Sequence, residues 1–108
     1  MNEWARSIQN IVLEIDKCIK NRDDEALTLE HLAAFLGYSA YYVSRKFREI
    51  SGMPLREYLR GRKLAFALKD LRDTEEGILD IALNYGFSSH EAFTRAFKEV
   101  YGLTPSEH

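Results

Sequence analysis

Apolar residues recur at three- and four-residue steps along most of this chain of 108 residues, the period of helices that bury one face. Trp4, Ile8, Val12, Ile15 and Ile19 form such a stripe and predict a helix from Glu3 to Lys20. Asn21 to Glu25 is a polar break. Thr28 is a capping residue for a short helix through Leu36, with Leu29, Leu32, Ala33 and Leu36 inward. Gly37 stops it, because glycine accepts the left-handed conformation just past a helix end. Ser39 then caps a helix from Ala40 to about Ser51. So short a turn between two helices predicts a helix-turn-helix, whose second helix projects from the body.

After Gly52-Met53-Pro54 a long helix is expected from Leu55 to about Arg72, and its apolar residues do not keep to one stripe. At about 100° per residue, Leu55, Tyr58, Leu59 and Phe66 fall on one side and Leu64, Leu68 and Leu71 on the other. Such a helix packs on two sides, one face completing each of two cores. Asp73 to Gly77 is a break, followed by a helix near Ile78 to Tyr85, the turn Gly86-Phe87-Ser88, and a helix from about Ser89 to Tyr101.

The two halves repeat. Leu32-Ala33-Ala34-Phe35-Leu36-Gly37-Tyr38-Ser39 matches Ile81-Ala82-Leu83-Asn84-Tyr85-Gly86-Phe87-Ser88, and Ser44-Arg45-Lys46-Phe47-Arg48-Glu49 matches Thr94-Arg95-Ala96-Phe97-Lys98-Glu99. In this alignment the projecting helix of the second copy is one residue longer at its start. The fold expected is all-α: a first helix-turn-helix subdomain over 1–54, a linker helix over 55–72 and a second subdomain over 73–108, within one DNA-binding domain. A linker of roughly 18 residues spans about 27 Å, and projecting helices about 34 Å apart reach successive turns of the major groove.

Charge sharpens this picture. The formal net charge is −2, yet residues 1–37 carry four basic and seven acidic groups, residues 38–72 nine and three, and residues 73–108 two and seven. A basic centre lies between acidic flanks. Catalysis finds no foothold: His31, His90 and His108 are scattered, no glycine-rich phosphate loop or Cys/His metal spacing occurs, and the lone Cys18 reads as a small core or boundary residue. An enzyme is not expected, and neither is a cofactor or a metal. No apolar run spans a bilayer and no signal peptide is evident, so a cytoplasmic protein without membrane contact is expected.

Ile81-Ala82 through Gly86-Phe87, then Phe93-Thr94-Arg95-Ala96-Phe97-Lys98 and Gly102-Leu103-Thr104-Pro105, give the chain a family likeness. It resembles the C-terminal DNA-binding domain of the AraC (arabinose-operon regulator) family over about Asn10 to Pro105. The first unit, Leu32-Ala33 through Gly37-Tyr38-Ser39 and Arg45-Lys46-Phe47-Arg48, is similar to the family's more variable half. The resemblance implies a bacterial, sequence-specific transcription regulator that sets two recognition helices in adjacent major-groove segments. Its implied partners are double-stranded DNA and RNA polymerase, with a ligand-sensing domain in the full-length chain. The family's domain has about seven helices, and Thr104-Pro105-Ser106-Glu107 has the form of a capping box opening a last, truncated one. A fragment of a longer protein is therefore expected, and the Met1 start suggests that the DNA-binding part comes first. The acidic balance departs from the family's usual basic character and keeps one rival open: a protein-interaction module with the same fold and no DNA affinity.

In the first projecting helix Val43 and Phe47 face the core, leaving Ala40, Tyr41, Ser44, Arg45 and Arg48 outward as candidate DNA contacts. Arg45 either donates to guanine O6 and N7 or pairs with Glu49 four residues on. In the second, Phe93 and Phe97 face inward and His90, Glu91, Thr94, Arg95 and Lys98 are the candidates. Arg95 takes the role of Arg45. Glu91 either completes a capping box with Ser88 or accepts from cytosine N4. Arg56, Arg60 and Lys63 share an arc of the linker that either holds phosphates or is simply solvated. Arg62 lies on the apolar side, where snorkelling or an internal contact is expected. Tyr38 and Phe87 read as packing residues.

Overall fold

A computed structural model describes residues 3–108; the Met1 start lies outside them. The described chain is helical throughout, with α1 (Glu3–Lys20), α2 (Leu29–Leu36), α3 (Ala40–Ser51), α4 (Leu55–Asp73), α5 (Ile78–Asn84) and α6 (His90–Tyr101). It forms two compact units, Met1–Arg60 and Gly61–His108, whose border falls inside α4.

In the first unit α1 packs on α2 and α3. Ile11, Ile15, Cys18 and Ile19 of α1 meet Leu32, Ala33, Val43 and Phe47, all buried, and this apolar area removed from water is the main source of the unit's stability. The break after α1 is more ordered than its polarity suggests. Asp23 caps a 3-10 turn over Asp24–Ala26, which buries Ala26 and Leu27. Arg22 ends α1 in the left-handed region at φ 55°, its N–H donating to Ile19 and that of Asp23 to Cys18. This is the double hydrogen bond that usually calls for glycine.

The same double bond closes α2, where Gly37 at φ 82° donates to Ala34 and Tyr38 to Ala33. It recurs at the end of α5, with Gly86 at φ 83° donating to Leu83 and Phe87 to Ala82. The repeat therefore extends to backbone geometry. In the second unit Leu64 and Ala67 of α4 join Ile81, Ala82, Tyr85, Phe93, Ala96 and Phe97 in the core.

Three expectations need correction. First, α3 and α6 are equal, at 12 residues each. The cap of α6 is Ser89, whose side chain accepts from the Ala92 N–H, and Ser88 lies in the turn. The extra residue of the second copy thus sits in the turn, and Glu91, at the second helical position, forms no capping box with Ser88. Second, α4 does not divide its apolar residues strictly by face. Tyr58 packs edge-on to Phe47 of the first unit at 5.4 Å, but Phe66, on the same side of the helical wheel, lies 6.4 Å from Tyr85 of the second. Position along the helix decides as much as angle. Third, the seventh helix is present only as a turn. Thr104 donates from its N–H and its hydroxyl to Glu107 Oε1 at 2.9 and 2.7 Å, holding that carboxyl below its usual range. His108 returns a single α-type bond to Thr104. Six α-helices stand among the described residues.

Candidate nucleic-acid interface

Ser39 caps α3 by accepting from the Tyr42 N–H at 3.2 Å, and Ser89 caps α6 by accepting from Ala92 at 3.0 Å. With the start of each helix set this way, inner and outer faces follow from a rotation of about 100° per residue. Val43 and Phe47 anchor α3 in the first core, and Phe93, Ala96 and Phe97 anchor α6 in the second. Opposite them, Tyr41, Arg45 and Arg48 form an exposed stripe on α3, and Glu91, Arg95 and Lys98 occupy the matching stripe on α6. Ala40 and Ser44 border the first stripe half-buried. His90, exposed, and Thr94, half-buried, border the second. The expected outward residues are thus split. Seven are exposed, while Ala40, Ser44 and Thr94 stand at the shoulder.

Tyr41 is 75% exposed, a large apolar ring held in water by a well-anchored helix. Arg45 Nε donates to Glu49 Oε1 at 3.3 Å, and Lys46 Nζ lies 3.2 Å from Glu49 Oε2. Lys46 chiefly, and Arg45 after it, hold the Glu49 carboxyl below its usual range. The side chains of Arg45 and Glu49 are 62% and 47% exposed, so solvent screens the pair and it yields readily to a better acceptor. Thr94 Oγ1 is buried without a partner, so the accessible part of this side chain is carbon.

One support of α3 was not legible beforehand. Trp4 at the start of α1 stacks on Tyr38 at 4.7 Å and meets Tyr42 edge-on at 5.2 Å, while the Tyr38 hydroxyl donates to Glu3 Oε1 at 2.9 Å. These contacts pin the first turn of α3 to a helix more than thirty residues away in sequence. The only sequence signal was Trp4 heading the α1 stripe and Tyr38 in the turn. In the second turn Phe87 packs on Phe93 at 5.2 Å, as its packing role predicts.

Along α4, Arg56 and Arg60 are exposed and Lys63 half-buried. Arg62 lies over the Phe66 ring at 5.5 Å, a cation–π contact that accounts for its place on the apolar side. No cluster of three or more His, Cys, Asp or Glu side chains that could hold a metal occurs among the described residues. Nor is any described helix long and apolar enough to cross a membrane.

Two serine-capped helices of equal length, each following a short helix across a glycine turn, define a tandem helix-turn-helix domain. A family model described as a helix-turn-helix domain matches residues 32–108. The chain is similar to the regulatory protein SoxS of Salmonella typhimurium, 36% identical over 102 residues that cover 94% of this chain and 95% of SoxS. It is also similar to the HTH-type transcriptional activator AarP of Providencia stuartii, 39% identical over 97 residues, or 90% of this chain and 72% of AarP. Among solved structures, the C-terminal domain of AraT, a response regulator from Geobacillus stearothermophilus, superposes with a TM-score of 0.82 at 28% identity, covering 98% of this chain and 85% of that one. An AraC-type transcriptional regulator from Chromobacterium violaceum gives 0.79 at 26% identity, covering 92% and 88%. The chain belongs to the AraC family of helix-turn-helix transcription regulators.

Proposed function

We propose that this chain is the sequence-specific DNA-binding part of a bacterial transcription regulator, acting in the cytoplasm, with α3 and α6 as its recognition helices. The observation that carries this reading is the pair of matching stripes, Tyr41/Arg45/Arg48 and Glu91/Arg95/Lys98, on two helices capped alike. An arginine fork projecting from such a helix suits guanine O6 and N7, and it occupies the same place in both. Tyr41 contributes its ring to a thymine methyl or its hydroxyl to a phosphate. Ala40, Ser44 and the methyl of Thr94 line the shoulders, where small apolar groups meet thymine. His90 donates to a base edge, and Arg48 and Lys98 hold phosphates.

With Ser89 as the cap of α6, the second of the two roles open to Glu91 is the one it takes, an acceptor for cytosine N4 beside Arg95. The net charge of −2 makes weak non-specific affinity part of the same reading. RNA polymerase is the second partner, and a ligand-sensing domain in the full-length protein supplies control. Selection from a random DNA pool tests the core of this. Two half-motifs about one helical turn, 10–10.5 base pairs, apart are expected; no enrichment would overturn it.

A further inference from the structure

The first unit holds a cavity of about 300 Å³ beside α3, walled by Leu27, Leu29, Pro54, Leu55 and Leu59. All of these belong to one compact unit. Two polar side chains complete the lining, Ser44 of α3 and Arg56 in the first turn of α4. Arg56 is exposed, and among the described residues neither side chain makes a hydrogen bond or ion pair. The repeat supplies an internal control. With Leu32 set on Ile81, Leu27 falls on exposed Glu76, and with Phe47 set on Phe97, Arg56 falls on Ser106. The second unit folds with a carboxylate in place of that wall and no cation at the rim, so the pairing of apolar walls with a cation is particular to the first.

Water held against apolar walls finds few hydrogen-bond partners, and an apolar body that displaces it gains by leaving water itself. The cavity stands at the small end of the range of ligand sites, roughly 300–1,000 Å³, which suits a compact body such as two fused rings and not a peptide. A guanidinium presents only donors, in a fork that matches a carboxylate, and the Ser44 hydroxyl adds a donor to the same lining. We infer that this cavity binds a compact apolar monocarboxylate, its body among the leucines and its charge on Arg56, and that occupation opposes DNA binding by the first unit. Ser44 ties the two together. It lines the cavity and also the shoulder of α3 proposed to meet DNA, so a carboxylate there takes donors from DNA and sets negative charge beside its phosphates. Linkage makes the effect mutual, the ligand and DNA each expelling the other. The site stands on the cavity alone; the antagonism rests on the DNA-binding reading above.

The test titrates the whole chain by calorimetry with α-naphthoate, and with α-naphthylmethanol as the same body without the charge. One naphthoate per chain is expected to bind. Arg56→Gln should weaken naphthoate about tenfold or more and leave the alcohol unchanged, whereas Leu29→Phe, which narrows the cavity, should weaken both. Should Leu29→Phe unsettle the fold, Arg56→Gln, at an exposed position, decides alone. Saturating naphthoate should lower affinity for the selected DNA site about fivefold or more, and should have no such effect once the half-motif read by α3 is scrambled. No binding at millimolar naphthoate, or binding that Arg56→Gln leaves intact, overturns the site. Bound naphthoate without effect on DNA affinity overturns the antagonism. Naphthoate binding by a parent that selects no DNA upholds the site and overturns the DNA reading instead.

Discussion

Ser39 and Ser89 hold the same position in the two units, each accepting from the backbone N–H three residues on, at 3.2 and 3.0 Å. The flanking residues align Ser39 with Ser88 instead. One hydrogen bond decides where α6 begins, and hence which side chains it turns outward. Ser89→Ala should therefore cost about 1 kcal/mol of stability, and Ser88→Ala almost none. Urea unfolding of the two variants separates them. The reverse order would return the cap to Ser88 and Glu91 to its capping box.

Arg45→Ala and Arg95→Ala should each cost about 1–3 kcal/mol on a selected site and relax preference at different bases. Arg45 must first leave Glu49, so Glu49→Gln is expected to leave specific affinity intact or improve it slightly. Anisotropy titrations on the selected site and on random DNA check both points. Equal losses on the two DNAs would reduce the arginines to phosphate anchors.

Thr94 carries a buried hydroxyl with no partner, a desolvation cost with nothing to offset it. Thr94→Val keeps the shape and removes that cost, and should stabilise the protein by about 1 kcal/mol. DNA affinity should hardly change, because the accessible part of the side chain is already carbon. Thermal unfolding reads the first effect; a lower melting temperature would point to a hydrogen bond made by that hydroxyl.

Arg22 takes the left-handed conformation at φ 55° that glycine adopts after α2 and α5. Replacing it by glycine removes about 1–2 kcal/mol of backbone strain and concedes part of that as added freedom of the unfolded chain. A net gain of about 0.5 kcal/mol is expected for Arg22→Gly. The converse holds at Gly37, also left-handed and with open space where a Cβ would sit. Gly37→Ala should be destabilising through backbone strain alone.

Burial first, then the hydrogen bond to Glu14, pushes the Cys18 thiol above its ordinary value. A group whose folded pKa is raised contributes stability that is complete below the unfolded pKa and is lost as pH rises through the folded one. Stability should therefore decline above about pH 8.5, where a thiol in the unfolded chain begins to ionise, and Cys18→Ser should blunt that decline. Native protein should react slowly with iodoacetamide at neutral pH, and unfolded protein quickly.

Much of this was legible in the chain because helix periodicity and caps are local. The bounds of α1, α2 and α3 follow from Trp4-to-Ile19 spacing, Thr28, Gly37 and Ser39. The errors arose where two local signals competed or where the deciding contact was distant. Ser88 and Ser89 are equally able to cap, and only the backbone path after Gly86 chooses between them. Phe66 shares a helical face with Leu55, yet it lies past the border inside α4 and packs on Tyr85 of its own, second unit. The Glu3–Tyr38 bond joins residues 35 apart, beyond any periodicity. The 3-10 turn at Asp24–Ala26 is too short to show a period. Of the interface, the exposed arginines were readable from Phe47 and Phe97, but the buried hydroxyl of Thr94 depends on packing that sequence spacing does not encode.

The aromatic seat under α3 makes this chain its own spectroscopic instrument. Its single tryptophan, Trp4, touches Tyr38 and Tyr42, all within the first unit, whereas the second unit's ring residues are phenylalanines and tyrosines such as Phe93, Phe97 and Tyr101. Indole emission therefore reports on one recognition helix and is silent about the other. A titration followed at that wavelength beside a far-ultraviolet signal from both units separates half-site engagement without any label.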